Sequence, residues 1–310
     1  MSESPLIDSN MYPSRVVLEA CPPLERHRDR AFALLEHVFR CYSRFEVISV
    51  PDIQDASEFG RRRKRVESLD FARWIQDQTN KPVMLYKVSV NSSKDEIDAW
   101  LAEARELDCG DIVVVGGDRS NKSYEGLTPA EAAQVVRAQG FNGGGIIIPS
   151  RRPEFLQRPA SHDELDRILA KIRTWPLSFF TTQILYDSEW MSCLLLDMVR
   201  KLDLEEFPKI FLTFSPFVCA ADIDFAKKHL GVYVPADVER LLRGARNMSE
   251  EAIGIILVVW ERISTFATEI GIPLDRLGVN VEYLNTRNPR NVRAAFELAE
   301  EFGRNLGVPE

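Results

Sequence analysis

The chain has 310 residues, of which 45% are hydrophobic and 28% are charged. This composition is typical of a folded globular protein and excludes disordered, collagen-like and coiled-coil proteins. Asp and Glu (47) outnumber Lys and Arg (39), which gives a formal net charge of −8. A protein this acidic is poorly suited to bind nucleic acid or an anionic membrane, so we expect neither as a partner.

Cysteine usage and the first residues indicate an intracellular protein. The five cysteines are scattered and form no C-x-x-C pair, which argues against a disulfide framework and against a zinc site. Residues 1–14 lack the basic and apolar segments of a signal peptide, and the longest apolar run, at 253–260, is too short to cross a bilayer. We therefore expect a soluble cytoplasmic protein.

Short apolar runs alternate with amphipathic helical patterns along nearly the whole chain. The runs predict eight strands, at 15–20, 46–50, 82–90, 111–117, 145–149, 179–185, 209–214 and 278–284. Helical patterns between them include 30–42, 163–172 and 291–302. Three predicted helix starts carry capping boxes, formed by Ser93 with Glu96, Thr128 with Glu131, and Ser161 with Glu164.

Eight strand–helix units in a chain of about 300 residues predict a (βα)8 TIM barrel, here a single domain over 1–310. The alternative is an open doubly wound sheet, which shows the same alternation. Residues 1–14 would be an N-terminal extension, and 215–277 would form a helical insertion after strand seven, including a helix at 250–269 capped by Ser249. The glycine-rich stretch 140–145 lies between a helix and a strand, so we interpret it as a helix stop and a turn.

Polar residues at the ends of the predicted strands are the candidates for chemistry, because barrel sites lie at the carboxyl ends of the strands. Glu19 and Asp118 end strands one and four, and Gln183 lies near the end of strand six. An acid, an anion and an amide suit protonation of a leaving nitrogen and stabilisation of a cationic intermediate. The alternative is that each side chain only caps a strand end or pairs with a Lys or Arg side chain. The four histidines are dispersed, so we expect no metal site.

A run of five basic residues, 61–65, follows the second strand, and Arg151, Arg152 and Arg158 follow the fifth. One interpretation is a solvated loop and helix entry. The other is an anion clamp at the barrel mouth, which would hold a dinucleotide diphosphate or a carboxylate-bearing substrate tail.

Four strand-end segments carry a resemblance to a known family. LEACPP (18–23), VVVGGD (113–118), TTQILYD (181–187) and VEYLN (281–285) occur on strands one, four, six and eight. In this order they resemble the methylenetetrahydrofolate reductase family, and the resemblance spans about residues 15–307. It implies a (βα)8 barrel that reduces 5,10-methylenetetrahydrofolate to 5-methyltetrahydrofolate, in one-carbon metabolism and methionine biosynthesis.

The resemblance also implies roles for individual residues. Glu19 matches the acid that protonates N10 of the folate, Asp118 matches the acidic residue facing the pterin, and Gln183 matches the amide that binds the folate. Asn285 and Arg287 lie near the position that the family uses for the glutamate tail. Phe217, or Phe214, would stack on the p-aminobenzoyl ring, with a core role as the alternative.

The segments that face the flavin in flavin-dependent members of the family are replaced here. The corresponding places at the ends of strands two, three and five read Pro-Asp-Ile (51–53), Tyr-Lys-Val (86–88) and Ile-Pro-Ser-Arg-Arg (148–152). We therefore expect NADH or NADPH to give hydride directly to the folate, without bound FAD. The dinucleotide contacts would be Lys87, Arg62, Arg151 and Arg152. Two alternatives stay open: an FAD enzyme with altered flavin contacts, and a non-catalytic folate-binding protein. The protein could also be a homo-oligomer.

Overall fold

Eight parallel strands form a closed barrel in the order β1 to β8. The computed structural model describes residues 16–53, 64–116, 124–151, 164–175 and 177–309. Each strand pairs with the next, and β8 pairs with β1 to close the barrel. The strands β1 to β8 are Val16–Glu19, Val47–Val50, Val83–Val88, Cys109–Val115, Asn142–Ile147, Leu177–Thr182, Lys209–Phe214 and Leu277–Glu282. The predicted (βα)8 barrel is therefore confirmed, and the open sheet is excluded.

Helices surround the barrel and cover the outer faces of the strands. In chain order we number them α1 to α10: Arg28–Cys41, Ser68–Thr79, Lys94–Ala104, Pro129–Ala138, Glu164–Thr174, Glu189–Val199, Ala220–Phe225, Ala236–Gly244, Met248–Glu269 and Pro289–Leu306. The capping boxes at the starts of α3 and α4 are formed as predicted. Ser161 lies outside the described residues. None of the helices in the described ranges combines the length and the apolar content that a bilayer crossing requires.

The extra helices predicted between strands seven and eight are α7, α8 and α9, with a π-helical turn, Ala226–Leu230, directly after α7. Helix α9 begins at Met248, and Asn247 occupies the N-cap position that we predicted for Ser249. The Ser249 hydroxyl donates instead to the Asn247 side-chain oxygen (3.0 Å).

The glycine-rich stretch 140–145 differs from the sequence prediction. Gly140, with φ +83°, ends the helical segment as expected, but β5 begins at Asn142 and contains the following glycines. A Cβ atom at Gly144 would lie 2.3 Å from the Phe179 ring. These glycines therefore do not make a turn. Gly144 leaves the space that the Phe179 ring fills in the barrel interior.

The barrel interior is apolar in its lower part and polar toward the carboxyl ends of the strands. Inward-facing apolar side chains form one buried cluster, made mainly of Val17, Val47, Met84, Tyr86, Val113, Phe179 and Phe211. Above it lie buried polar side chains, among them those of Glu19, Ser49, Thr181, Thr213 and Asn280. The much larger core cluster fills the space between the outer strand faces and the helices. The fold thus presents a polar layer at the edge where barrel sites lie.

Candidate active site

Inward-facing polar residues at the ends of β1, β2, β7 and β8 form a hydrogen-bonded layer. Glu19 ends β1 and is 7% exposed. The Asn280 Nδ2 group donates to Glu19 Oε2 (3.2 Å) and to Thr213 Oγ1 (3.4 Å). The Ser49 hydroxyl donates to Asn280 Oδ1 (3.2 Å). Because its oxygen accepts from Ser49, the Asn280 amide is oriented with its donor group toward Glu19.

The surroundings of Glu19 raise the pKa of its carboxyl group from 4.5 to about 7. Burial is the largest cause, because a carboxylate loses its hydration in this layer. The hydrogen bond from Asn280, and smaller effects of the neighbouring polar groups of Tyr86, Glu282 and Ser49, oppose that shift because they favour the ionised form. Glu19 therefore has the property of a general acid at neutral pH, which must carry a proton and also be able to release it.

Glu282, which ends β8, is a second carboxyl group at the same place, and our sequence reasoning missed it. It is the register partner of Glu19 across the β1–β8 pair. Burial raises its pKa well above the ordinary value, and the negative charge of Glu19 raises it further. The available signal was the alternation in β8, where the polar residues Asn280 and Glu282 alternate with Val279, Val281 and Tyr283.

Tyr86 forms another side of the polar layer. Its hydroxyl donates a hydrogen bond to Thr181 Oγ1 (3.3 Å) on β6 and also contacts Glu19. Burial, followed by the charge of Glu19, raises its pKa well above the ordinary value. The phenol is therefore neutral at neutral pH and serves as a hydrogen-bond donor.

Gln183 directly follows β6 on the same edge of the barrel. Its Nε2 group donates to the Leu230 carbonyl (3.0 Å), and its side-chain oxygen accepts from the Ile184 N–H (3.0 Å). A small cavity of about 20 Å³ adjoins it, bordered by Tyr186 and Trp190 among others. Gln183 thus links the end of β6 to the π-helical turn, and no hydrogen bond joins it to Glu19.

A cleft of about 1150 Å³ lies beside that cavity, between the start of α6 and helices α8 and α9. The cleft and the cavity share Tyr186, Asp187 and Tyr233 as lining residues. Glu19 does not line the cleft. The cleft therefore opens on the Gln183 side of the barrel mouth rather than over the acid.

The predicted aromatic contact Phe217 is fully buried. Its ring stacks on Tyr186, with the centroids 4.5 Å apart. The Tyr186 hydroxyl donates to the Ser215 carbonyl (2.7 Å) and accepts from the Phe217 N–H (3.2 Å). Phe214 is likewise fully buried and stacks on Phe302. In this arrangement both rings belong to the core and show no exposed face to a ligand.

Asn285 and Arg287, predicted near the glutamate tail, lie in the loop after β8. The Asn285 side-chain oxygen accepts from the Arg287 N–H (3.0 Å), and its own N–H donates to Asn291 Oδ1 (2.9 Å). Asn291 in turn donates to the buried Asp222 carboxylate (3.2 Å) at the start of α7. Asn285 therefore shapes the loop, while Arg287 is exposed.

Of the predicted dinucleotide contacts, the structure describes the side chain of Lys87. Its ammonium group lies 3.9 Å from Asp52 and 5.3 Å from the centre of the Trp100 ring on α3. Its neighbour Tyr86 faces the barrel interior, so Lys87 lies on the outer face of β3. Arg62, Arg152 and Asp118 lie outside the described residues, as does the side chain of Arg151.

The described end of the basic run reaches the barrel mouth. Arg65 Nη1 donates to the Pro22 carbonyl (2.9 Å), in the segment that follows Glu19. Arg65 also forms an isolated antiparallel bridge with Leu24. The loop after β2 is therefore joined to the loop after β1, close to the polar layer. No group of three or more potential metal ligands of the His, Cys, Asp and Glu types occurs within the described ranges.

No protein-family model matches the sequence, and no curated protein matches it. Solved structures share its fold. An uncharacterized protein from Clostridium thermocellum that binds two copies of 5-methyl-5,6,7,8-tetrahydrofolic acid is 18% identical, with a TM-score of 0.73 and coverage of 96% of this chain and 98% of that one. The carboxyl transferase domain of Rhizobium etli pyruvate carboxylase with oxalate is 9% identical, with a TM-score of 0.50 and coverage of 95% and 48%. At these identities the likeness establishes a shared barrel fold.

Proposed function

We propose that this protein reduces 5,10-methylenetetrahydrofolate to 5-methyltetrahydrofolate, with hydride supplied directly by NADH or NADPH and without bound flavin. The observation that carries the proposal is Glu19, an enclosed carboxyl group with a pKa of about 7 at the barrel mouth. Two further observations support a folate substrate. One is the resemblance of four strand-end segments to the reductase family. The other is the ligand of the Clostridium thermocellum structure, which is the product of the proposed reaction.

The reaction requires an acid before it requires a reductant. The methylene carbon of the substrate bridges N5 and N10, and hydride adds readily only after the ring opens to a cationic iminium at N5. Glu19 would supply the proton to N10, whose bond to the methylene carbon then breaks. Hydride addition converts the iminium to the N5-methyl group. One proton and one hydride are consumed in each turnover, so Glu19 must be protonated again before the next.

The neighbours of Glu19 have defined tasks in this scheme. Asn280 donates to the carboxylate and so stabilises Glu19 after it has given up its proton. Ser49 holds the Asn280 amide in the orientation that this requires. We assign Asp118 to stabilisation of the cationic pterin and Gln183 to folate binding, as the resemblance implies. Arg287 remains a proposed contact of the anionic glutamate tail.

The dinucleotide would use the basic loops rather than the outer face of β3. Lys87 contacts Asp52 and Trp100, which leaves Arg62, Arg151 and Arg152 as the proposed partners of the diphosphate. Arg65, three residues after Arg62 in the sequence, donates to the Pro22 carbonyl in the segment that follows Glu19. Guanidinium groups suit this role because they bind phosphate oxygens in a bidentate fashion.

The proposal is tested with purified protein and 5,10-methylenetetrahydrofolate. The expected result is a colourless protein that oxidises NADH or NADPH only when the folate is present and needs no added FAD. Glu19→Gln should lower kcat by about 10²- to 10⁴-fold, the usual contribution of a positioned acid, while folate binding persists. Glu103→Gln, a matched change on the exposed face of α3, should leave kcat unchanged.

Three outcomes would contradict parts of the proposal. Activity that appears only with added FAD would favour the flavin-dependent alternative. Folate binding without turnover would favour a binding protein. Wild-type turnover by Glu19→Gln would remove Glu19 from the mechanism.

A further inference from the structure

The ends of β1 and β8 bring two carboxyl groups together inside the barrel mouth. Glu19 and Glu282 are register partners, and both lie on the inward faces of their strands, following Val17 and Asn280 respectively. Glu19 is 7% exposed, and Glu282 is the more exposed of the two. The pair therefore lies in a poorly hydrated layer, with Glu282 on the side that solvent can reach.

Nothing in the described part of the chain neutralises two negative charges at this place. No salt bridge to Glu19 or Glu282 occurs among the described residues. The titratable neighbours Tyr86, Cys21 and Tyr283 all have pKa values raised well above their ordinary values, so they are neutral at neutral pH. Two adjacent carboxyl groups without a counter-ion do not both ionise, and one of them keeps a proton.

Among the described residues, Arg65 is the remaining charged group near the pair. It donates to the Pro22 carbonyl, and its positive charge acts on the Cys21 thiol, where it lowers the pKa slightly against the larger effect of burial. The largest influences on the pKa values of Glu19 and Glu282 are burial, the contact between the two carboxyl groups and, for Glu19, the hydrogen bond from Asn280.

The hydrogen bonds place that proton on Glu282. Asn280 already donates to Glu19, which favours the ionised form of Glu19. The contact between the two carboxyl groups lowers the pKa of Glu19 and raises that of Glu282. Both effects point the same way, with Glu282 as donor and Glu19 as acceptor.

We propose that Glu282 holds a proton at neutral pH, donates a hydrogen bond from its carboxyl group to Glu19, and relays a proton from solvent to Glu19 after Glu19 has released its own. In the relay the O–H bond of Glu282 breaks and an O–H bond of Glu19 forms. Because Glu282 is the weaker acid of the two, the transfer is completed when the Glu282 carboxylate takes a proton from solvent or from a buffer acid, which leaves both groups protonated. The pairing stands on the structure alone, whereas the refilling of Glu19 during turnover rests on the proposed function. Glu282 acts through Glu19 and is a positioning residue for its proton.

Infrared titration of the protein without substrate tests the pairing. In the wild-type protein Glu19 and Glu282 should lose their protons in separate steps, the first near the pKa of about 7 of Glu19 and the second at higher pH, both above the step of Asp111 near pH 6. Glu282→Gln should remove the second step. Glu19→Gln should move the Glu282 step to lower pH, because the repelling charge is gone. Glu103→Gln is the control and should change neither step.

The Glu19→Gln variant keeps Glu282, so its infrared titration still tests the pairing if Glu282→Gln fails to fold. Circular dichroism and the melting temperature establish which variants are folded. A Glu282 step that does not move in Glu19→Gln would overturn the pairing. So would a wild-type protein in which both groups are ionised at neutral pH.

Buffer dependence tests the proton transfer separately. In Glu282→Gln, kcat should fall in dilute buffer and recover as a small weak-acid buffer such as imidazole is increased, because the buffer acid replaces Glu282 as donor. The wild type should show little buffer dependence. Loss of activity that no buffer restores would contradict the transfer. A protein without any reductase activity would contradict the proposed function and leave the infrared result to decide the pairing.

Discussion

Replacing Asn280 with leucine would remove the amide that donates to Glu19 at 3.2 Å while keeping a similar side-chain volume. In the wild type this hydrogen bond favours the ionised carboxylate. Its loss should therefore raise the pKa of Glu19 above about 7. A hydrogen bond to a charged group contributes about 1.5–3 kcal/mol. Since about 1.4 kcal/mol corresponds to one pH unit, the titration of Glu19 should move up by about one to two pH units.

Infrared titration of the protein measures this shift without reference to turnover, and the alkaline limb of the kcat–pH profile should move with it. The chain offers a matched control in Asn142, whose amide donates to Asp111 (2.9 Å) at the opposite end of the barrel. Burial raises the pKa of Asp111 to about 6. Asn142→Leu should therefore shift the titration of Asp111 and leave that of Glu19 in place. An unmoved Glu19 step in Asn280→Leu would refute the assignment of this hydrogen bond.

Three further predictions concern stability and are measured by urea unfolding. Glu19→Gln should stabilise the protein at alkaline pH. The pKa of Glu19 is about 7 in the folded protein and 4.5 ordinarily, so the wild type loses stability as pH rises from about 4.5 through 7, and the variant does not. The variant should gain at most on the order of 3 kcal/mol in unfolding free energy, and a gain that persists below pH 4.5 would contradict this link between ionisation and stability. Gly144→Ala should cost about 1–3 kcal/mol through overpacking against the Phe179 ring, with partial recovery when Phe179→Leu is added. Asp222→Ala should cost about 1.5–3 kcal/mol because the Asp222 carboxylate accepts three N–H hydrogen bonds, one of them buried and two partly buried. Asp224→Ala, which removes an exposed ion pair, should cost under about 1 kcal/mol.

The barrel could be predicted because its signals are local. Each strand is a short apolar run, and the capping boxes of α3 and α4 lie within four consecutive residues. Glu19 could be placed at the mouth for the same reason, since it ends the first run. Glu282 could not be predicted, because it lies beside Glu19 only once the barrel closes and the first strand pairs with the last.

Other differences between the sequence predictions and the structure arise from the alternation of side chains along a strand and from close packing. Successive side chains of a strand point to opposite faces, so only one of Tyr86 and Lys87 can face the barrel interior. The prediction of Lys87 as a dinucleotide contact requires Lys87 to face the barrel mouth. In the structure Tyr86 faces the interior and Lys87 contacts Trp100 on the outside. Glycines in sequence favour turns, but in β5 they make room for Phe179, a neighbour from the next strand. The burial of Phe217 depends on Tyr186, a long-range contact that no local pattern records.

The central claim is that a flavin-free protein passes hydride directly to a folate iminium formed by Glu19. The most direct measurement uses NADH or NADPH deuterated at the transferable C4 position, with 5,10-methylenetetrahydrofolate and no added FAD. Mass spectrometry of the product then counts the deuterium in the N5-methyl group. We predict 5-methyltetrahydrofolate with one deuterium in that group, because direct transfer never exposes the hydride to water. No 5-methyltetrahydrofolate, or a methyl group whose deuterium has been exchanged for solvent hydrogen, would contradict the claim.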